Sequence, residues 1–171
     1  VMDTFLTLSD IVGADSMGWR YDPILLNEKY TMEYHLKSFE HMATRLEGAT
    51  KTCVISFIDL YQKVRKNFPE VRSVPKEERL FLGKEMIRIA GEHGMTVRPC
   101  GEADELAIYG ADCGGCMTQN TYETALHTSL NFPKKPPLRK ECACFLGNDI
   151  GSYNTCLHLC RYCYANYDEQ T

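Results

Sequence analysis

The chain has no run of about 18 consecutive apolar residues, so nothing in it reads as a transmembrane helix. It shows no basic-then-apolar leader of a secreted protein, no internal repeat and no low-complexity tract. Tryptophan occurs once. Positive charge is not in excess either. Lysine and arginine number 19 against 23 acidic residues, for a net charge of −4. That balance removes a general affinity for nucleic acid or anionic membranes, although a local basic patch is compatible with it. What is present is enough for one core, with 171 residues of which 44% are apolar. Nine cysteines are many for this length. A secreted disulfide framework favours an even count in a smaller chain, so the better reading is a reducing cytoplasm with the thiols committed to metal.

Strand and helix patterns alternate. Met17 to Tyr21 reads as a short strand ended by Asp22-Pro23. Thr31 is placed to cap a helix to about Leu46, because Leu36, Phe39, Ala43 and Leu46 recur at steps of three and four, and Gly48 closes it. Cys53 to Ile58 is apolar and β-branched, as in a strand covered on both faces. A short helix is expected after Asp59, and a long one from Pro75 to His93 with Gly94 at its end. Met95 to Arg98 predicts a third strand, Glu102 to Tyr109 a short helix, and a further helix is expected from Asn120 to about Leu130. This order indicates an α/β fold with parallel strands, a partial (β/α) barrel over residues 1–130. A basic, proline-rich linker over 131–141 follows, with Pro133, Lys134, Lys135, Pro136, Pro137, Arg139 and Lys140. It is either a solvated connector or a phosphate contact. Residues 142–171 form a cysteine-rich C-terminal segment. Three strands make about half a barrel, and Thr4 to Val12 reads as the back half of a helix, so a fragment of a longer protein is expected.

The densest chemistry lies at Cys156, Cys160 and Cys163, a C-x3-C-x2-C spacing with Tyr162 before the last thiol. Three cysteines on one tight loop can hold three irons of a 4Fe-4S cluster and leave the fourth open to a small molecule. A structural zinc site is the bland alternative, with His158, Cys142 or Cys144 as a fourth ligand. Asn154 and Thr155 are placed to hydrogen-bond cluster sulfides or to cap the loop, and Tyr164 to pack over the cluster and keep water out. A second metal centre, most simply an auxiliary cluster, could be assembled from Cys100, Cys113, Cys116, Cys142 and Cys144, in which Cys113 and Cys116 form a C-x2-C pair. These thiols could equally be unmodified, or a redox dithiol in the C-x2-C pair. Cys53, inside an apolar strand, reads as core. Arg20, Asp22 and Asp59 stand at carboxyl ends of predicted strands, where active sites of α/β folds gather, although Arg20 and Asp22 could simply form a local ion pair.

The three-cysteine loop resembles the signature of radical S-adenosylmethionine (SAM) enzymes, in which the open iron chelates the amino and carboxylate groups of SAM. Nearly the whole chain resembles an uncharacterised bacterial and archaeal family of unknown function with its cysteine cluster at the C-terminus. The resemblance is carried by Trp19 to Leu25, Cys53 to Phe57, Cys100-Gly101-Glu102, Gly115-Cys116, Glu141 to Cys144, and Asp149 through Cys156 to Asn166. The Cys-Tyr-Ala run at Cys163 is similar to spore photoproduct lyase-like radical SAM members. The resemblance implies a 4Fe-4S cluster on the three cysteines, SAM as the small-molecule partner, and an electron donor such as a flavodoxin or ferredoxin. No residue beyond the cysteines is carried over, and Tyr162 and Asn154 stand beside the cofactors by their own place in the loop. It implies generation of a 5′-deoxyadenosyl radical acting on an undefined substrate. A non-enzymatic zinc module or an electron-transfer iron–sulfur module is the alternative. Kinship with the lyases would bring in nucleic acid, which the acidic balance does not support. Two departures stand out. Ordinary radical SAM enzymes place the cysteine loop after the first strand, whereas here it follows all three predicted strands. Members of the family carry further sequence before this point, including the first strands of the barrel. Cys113 is also extra to the pattern.

Overall fold

The computed structural model describes residues 1–131, 133, 142, 144 and 151–166. The expected basic linker, apart from its positions 131 and 133, lies outside the described residues, as do Asp149, Ile150 and the last five positions of the C-terminal segment.

Three parallel strands, β1 (Trp19–Ile24), β2 (Thr52–Phe57) and β3 (Thr96–Pro99), form one sheet in the order β1-β2-β3. The helices are α1 (Met2–Val12), α2 (Met32–Leu46), α3 (Gln62–Asn67), α4 (Lys76–Glu92) and α5 (Gln119–Leu126), with 3-10 turns at Ala14–Ser16 and Asp104–Tyr109. The architecture is mixed α/β with a parallel sheet that does not close into a barrel. Among the described residues no helix is long and apolar enough to cross a membrane.

Local chemistry explains these elements. The Thr31 hydroxyl accepts from the Tyr34 amide at 3.1 Å, satisfying one of the orphan amides at the start of α2. Along α2 the buried residues are His35, Phe39, Ala43 and Leu46. Three of these are the positions expected from the spacing, while Leu36 is only half-buried against the core and His35 takes the enclosed place beside it. Strand β1 runs on through Asp22-Pro23, where it was expected to stop. Its pairing with β2 shifts between Tyr21 and Ile24, and this irregularity on an edge strand accommodates a residue without an amide proton. The Glu102–Tyr109 helix is a 3-10 turn from Asp104. Helix α5 ends at Leu126 and not near Leu130, because His127 turns into the left-handed region at φ 50°.

Side chains alternate across the strands. Trp19, Tyr21, Cys53, Ile55 and Val97 face α2 and α4 in the main core. Trp19 stacks on Phe39 with ring centroids 4.7 Å apart, and Tyr21 meets the edge of the same ring at 5.3 Å. The register Arg20–Val54–Arg98 puts those residues, with Asp22, Ser56 and Cys100 beyond them, on the opposite face. Cys53 is fully enclosed in the core, as its setting predicts.

His35 is a buried polar member of this core, 6% exposed. Its Nε2 lies 2.8 Å from the Leu25 carbonyl, and its Nδ1 lies 2.8 Å from the Tyr21 hydroxyl. A carbonyl can only accept, so Nε2 carries the proton and Nδ1 accepts from Tyr21. Burial lowers the His35 pKa from 6.5, partly opposed by the bond to Leu25. The unfolded chain therefore takes up this proton at higher pH than the folded chain. The stability tied to His35 is complete above about pH 6.5 and falls as pH drops toward the folded value. Urea unfolding at about pH 5.5 and about pH 7.5 should show a lower midpoint at the acid pH. His35→Gln should remove most of that difference, and an undiminished difference would reject the assignment.

Candidate functional site at the carboxyl ends of the strands

All three strands point their carboxyl ends to one side of the molecule, and that end carries a cavity of about 440 Å³. It is framed by Arg20 and Asp22 from β1, Ser56 and Asp59 from the end of β2, and Cys100 just after β3. The volume lies within the range of about 300–1,000 Å³ usual for cofactor and small-molecule sites. Parallel alignment brings these residues together, because every strand end arrives at the same level.

The opposite wall is the cysteine loop, through Cys160, Tyr162, Cys163 and Tyr164. The loop folds on itself by short bonds. The Cys163 amide donates to the Cys160 carbonyl at 2.8 Å, and the Asn154 amide to the Ala165 carbonyl at 3.1 Å. The buried Asn166 side chain donates to the Cys156 carbonyl at 2.6 Å. The Ala165 amide lies 3.4 Å from Cys163 Sγ, the kind of N–H···S contact that stabilises a metal-bound thiolate. Arg161 anchors the loop to the body. Its guanidinium grips Glu70 at 2.5 and 2.9 Å, donates to the Asn67 carbonyl at 2.9 Å, and lies 4.3 Å above the Phe68 ring.

Cys160 and Cys156 are exposed and Cys163 is half-buried. Burial raises the Tyr162 hydroxyl pKa, reinforced by the Cys160 thiol and by the charges of Asp22 and Cys163. The effect of Asp22 on Tyr162 places the loop close to the end of β1. Arg20 and Asp22 do form the local ion pair, at 2.5 Å, and the pair lies in the cavity wall. Burial alone would lower the Arg20 pKa, but Asp22 and the Cys100 thiol raise it instead. Asp59 accepts from the Tyr61 hydroxyl at 3.0 Å. Asn154 lies at φ 59° in the loop and contributes its backbone to the fold of the loop.

Among the described residues no group of three or more His, Cys, Asp and Glu side chains is drawn around one point as a bound ion would draw them. The donor set nevertheless suits a group that takes thiolates from one side. Two of the loop thiols face a cavity, a backbone amide is aimed at one sulfur, and the far wall is polar.

A second set of thiols lies on the same face of the sheet. Cys116, buried, hydrogen-bonds to both Cys100 and Cys144, with Cys116 Sγ and Cys144 Sγ 3.2 Å apart. Cys142 in turn hydrogen-bonds to Cys144. Arg20 Nη1 lies 3.9 Å from Cys116 Sγ. Cys113 belongs to another environment, where burial and the charges of Asp104 and Asp112 raise its pKa.

Ser56, Tyr61 and the Arg161 clamp escape a reading from sequence. Ser56 had a signal, since it sits two residues beyond Val54 on the same face of β2, but a lone serine near a strand end is too common to stand out.

A family model described as "Domain of unknown function (DUF1848)" matches residues 1–165, which span all three strands and the whole cysteine loop. No curated protein and no solved structure matches the chain.

Proposed function

The chain belongs to the DUF1848 family, and from that premise we propose that it is an iron–sulfur protein of the radical SAM type. Cys156, Cys160 and Cys163 would hold a 4Fe-4S cluster and leave one iron without a protein ligand. When bound and supplied with an electron by a donor such as a flavodoxin or ferredoxin, that group provides reductive cleavage of SAM to methionine and a 5′-deoxyadenosyl radical.

One observation carries this reading. Cys160, Tyr162 and Cys163 share a single cavity with Arg20, Asp22, Ser56, Asp59 and Cys100. A closed electron-transfer centre has no need to face a cavity that carries Arg20, Asp22 and Asp59 at the strand ends.

The chain's own residues have separable tasks in that cavity. Asp22 and Asp59 offer carboxylate acceptors for an ammonium or for ribose hydroxyls, and Arg20 sets the position of Asp22 through their ion pair. Phe57, Ile58 and Tyr164 supply apolar wall that excludes water, which matters because water weakens charge-assisted contacts and admits side reactions of bound intermediates. The Ala165 amide and the Tyr162 hydroxyl donate toward loop sulfurs, which tunes the basicity of the thiolates.

Anaerobic reconstitution with iron and sulfide, followed by electron paramagnetic resonance of the reduced protein, tests the proposal. A four-iron signal whose shape changes on adding SAM is expected. A signal indifferent to SAM, or zinc bound in place of any cluster, would overturn it.

A further inference from the structure

Four thiols have no task in that reading, although Cys100 also lines its cavity, and the fold gathers them from three parts of the chain. Cys100 follows β3, Cys116 lies in the loop before α5, and Cys142 and Cys144 come from the C-terminal third. They meet in sequence through the contacts Cys100–Cys116, Cys116–Cys144 and Cys144–Cys142. We propose that Cys100, Cys116, Cys142 and Cys144 bind a single zinc ion as a tetrathiolate centre, separate from the cluster loop.

Sulfur separation favours one ion over a cluster. With Zn–S bonds of about 2.3 Å, a tetrahedral centre puts its sulfurs about 3.8 Å apart. The Cys116–Cys144 separation of 3.2 Å is shorter than that edge, so the two sulfurs part slightly and the outer two draw inward as the ion binds. A cubane cluster gives each thiolate its own iron and spreads the sulfurs well beyond contact. Charge agrees with this assignment. Binding Zn²⁺ releases four thiol protons to solvent and leaves a centre of net charge −2. Arg20 already donates to Cys100 and approaches Cys116, so a guanidinium stands ready as its outer-shell partner. The ion converts a chain of pairwise contacts into a closed set of ligands. It thereby pins the C-terminal third to the sheet, on the route that leads to the cluster loop.

The test uses the full chain carrying Cys156→Ala, Cys160→Ala and Cys163→Ala together, so that the proposed cluster loop cannot contribute. Metal analysis after incubation with Zn²⁺, and titration with Co²⁺ as a spectroscopic probe, should give one ion per chain with intense sulfur-to-cobalt charge-transfer absorption. Adding Cys116→Ser or Cys144→Ser should weaken binding by more than the roughly 10–100-fold that loss of an outer-shell partner costs. Cys113→Ser should leave it unchanged. Circular dichroism of each variant, and the agreement of two separate ligand replacements, distinguish a lost ligand from a lost fold. Absence of bound metal in the folded triple variant would overturn the proposal. So would a sulfide-bridged iron cluster at these thiols, or equal weakening by Cys113→Ser.

Discussion

Cys160→Ala, reconstituted anaerobically with iron and sulfide, is expected to retain almost none of the four-iron signal and to cleave no SAM. The loop offers three thiols and the fourth iron is to stay open, and Cys100, the other thiol in the cavity wall, is held by Cys116 and Arg20. Cys142 and Cys144 are the nearest thiols in sequence, and they are engaged elsewhere, Cys144 with Cys116 and Cys142 with Cys144. Cys163→Ala should behave in the same way, since Cys163 faces the same cavity and receives the Ala165 amide. Cys113→Ser is the matched control, because Cys113 sits near the Asp104 and Asp112 carboxylates and is not part of the cavity wall. Iron and acid-labile sulfide per chain, together with 5′-deoxyadenosine formed on reduction in the presence of SAM, read the result. Full iron content in Cys160→Ala would remove the loop from the proposal.

Phe39→Ala should produce the largest loss of stability of any single change in the α2 face. Phe39 is completely buried and is the ring against which both Trp19 and Tyr21 pack. Truncating a buried phenylalanine costs about 3–5 kcal/mol from lost transfer energy and the cavity left behind. A domain of this kind is stable by only about 5–15 kcal/mol, so the variant would stand near its unfolding threshold. Urea denaturation should show a much lower midpoint with an unchanged slope. Tyr34→Ala, one turn earlier on α2 and 44% exposed, should cost far less. A loss below about 1 kcal/mol for Phe39→Ala would mean that this face of the sheet is not the folding core.

Much of this arrangement was legible before any coordinates. The Thr31 cap, the i, i+3, i+4 spacing from Leu36 to Leu46 and the unbroken apolar run from Cys53 are local signals, and local signals survive folding. The end of β1 was misplaced because proline argues for a stop, whereas an irregular edge register can absorb it. The end of α5 was misplaced because the left-handed turn fell on His127, a residue type that does not announce one. The strand-end carboxylates could be named from position alone, since parallel strands deliver their ends to one level. The thiol partnerships could not. Spacing draws attention to Cys113 and Cys116, which are neighbours in sequence. Cys100 and Cys144 become neighbours of Cys116 only after β3 has paired and the C-terminal third has returned to the sheet. The same applies to Glu70, whose partner Arg161 lies 91 residues away.

That distance bears on the order of events as the protein is made. A zinc finger gathers its ligands from adjacent residues, so metal can arrive first and fold the chain around itself. Here Arg161 sits between Cys160 and Tyr162, and its grip on Glu70, the Asn67 carbonyl and Phe68 requires α3 and the turn after it to exist already. The cysteine loop is therefore a late arrival that docks onto a finished platform. Iron delivered before that platform forms would meet three tethered thiols with no wall behind them, so maturation should follow folding and not drive it.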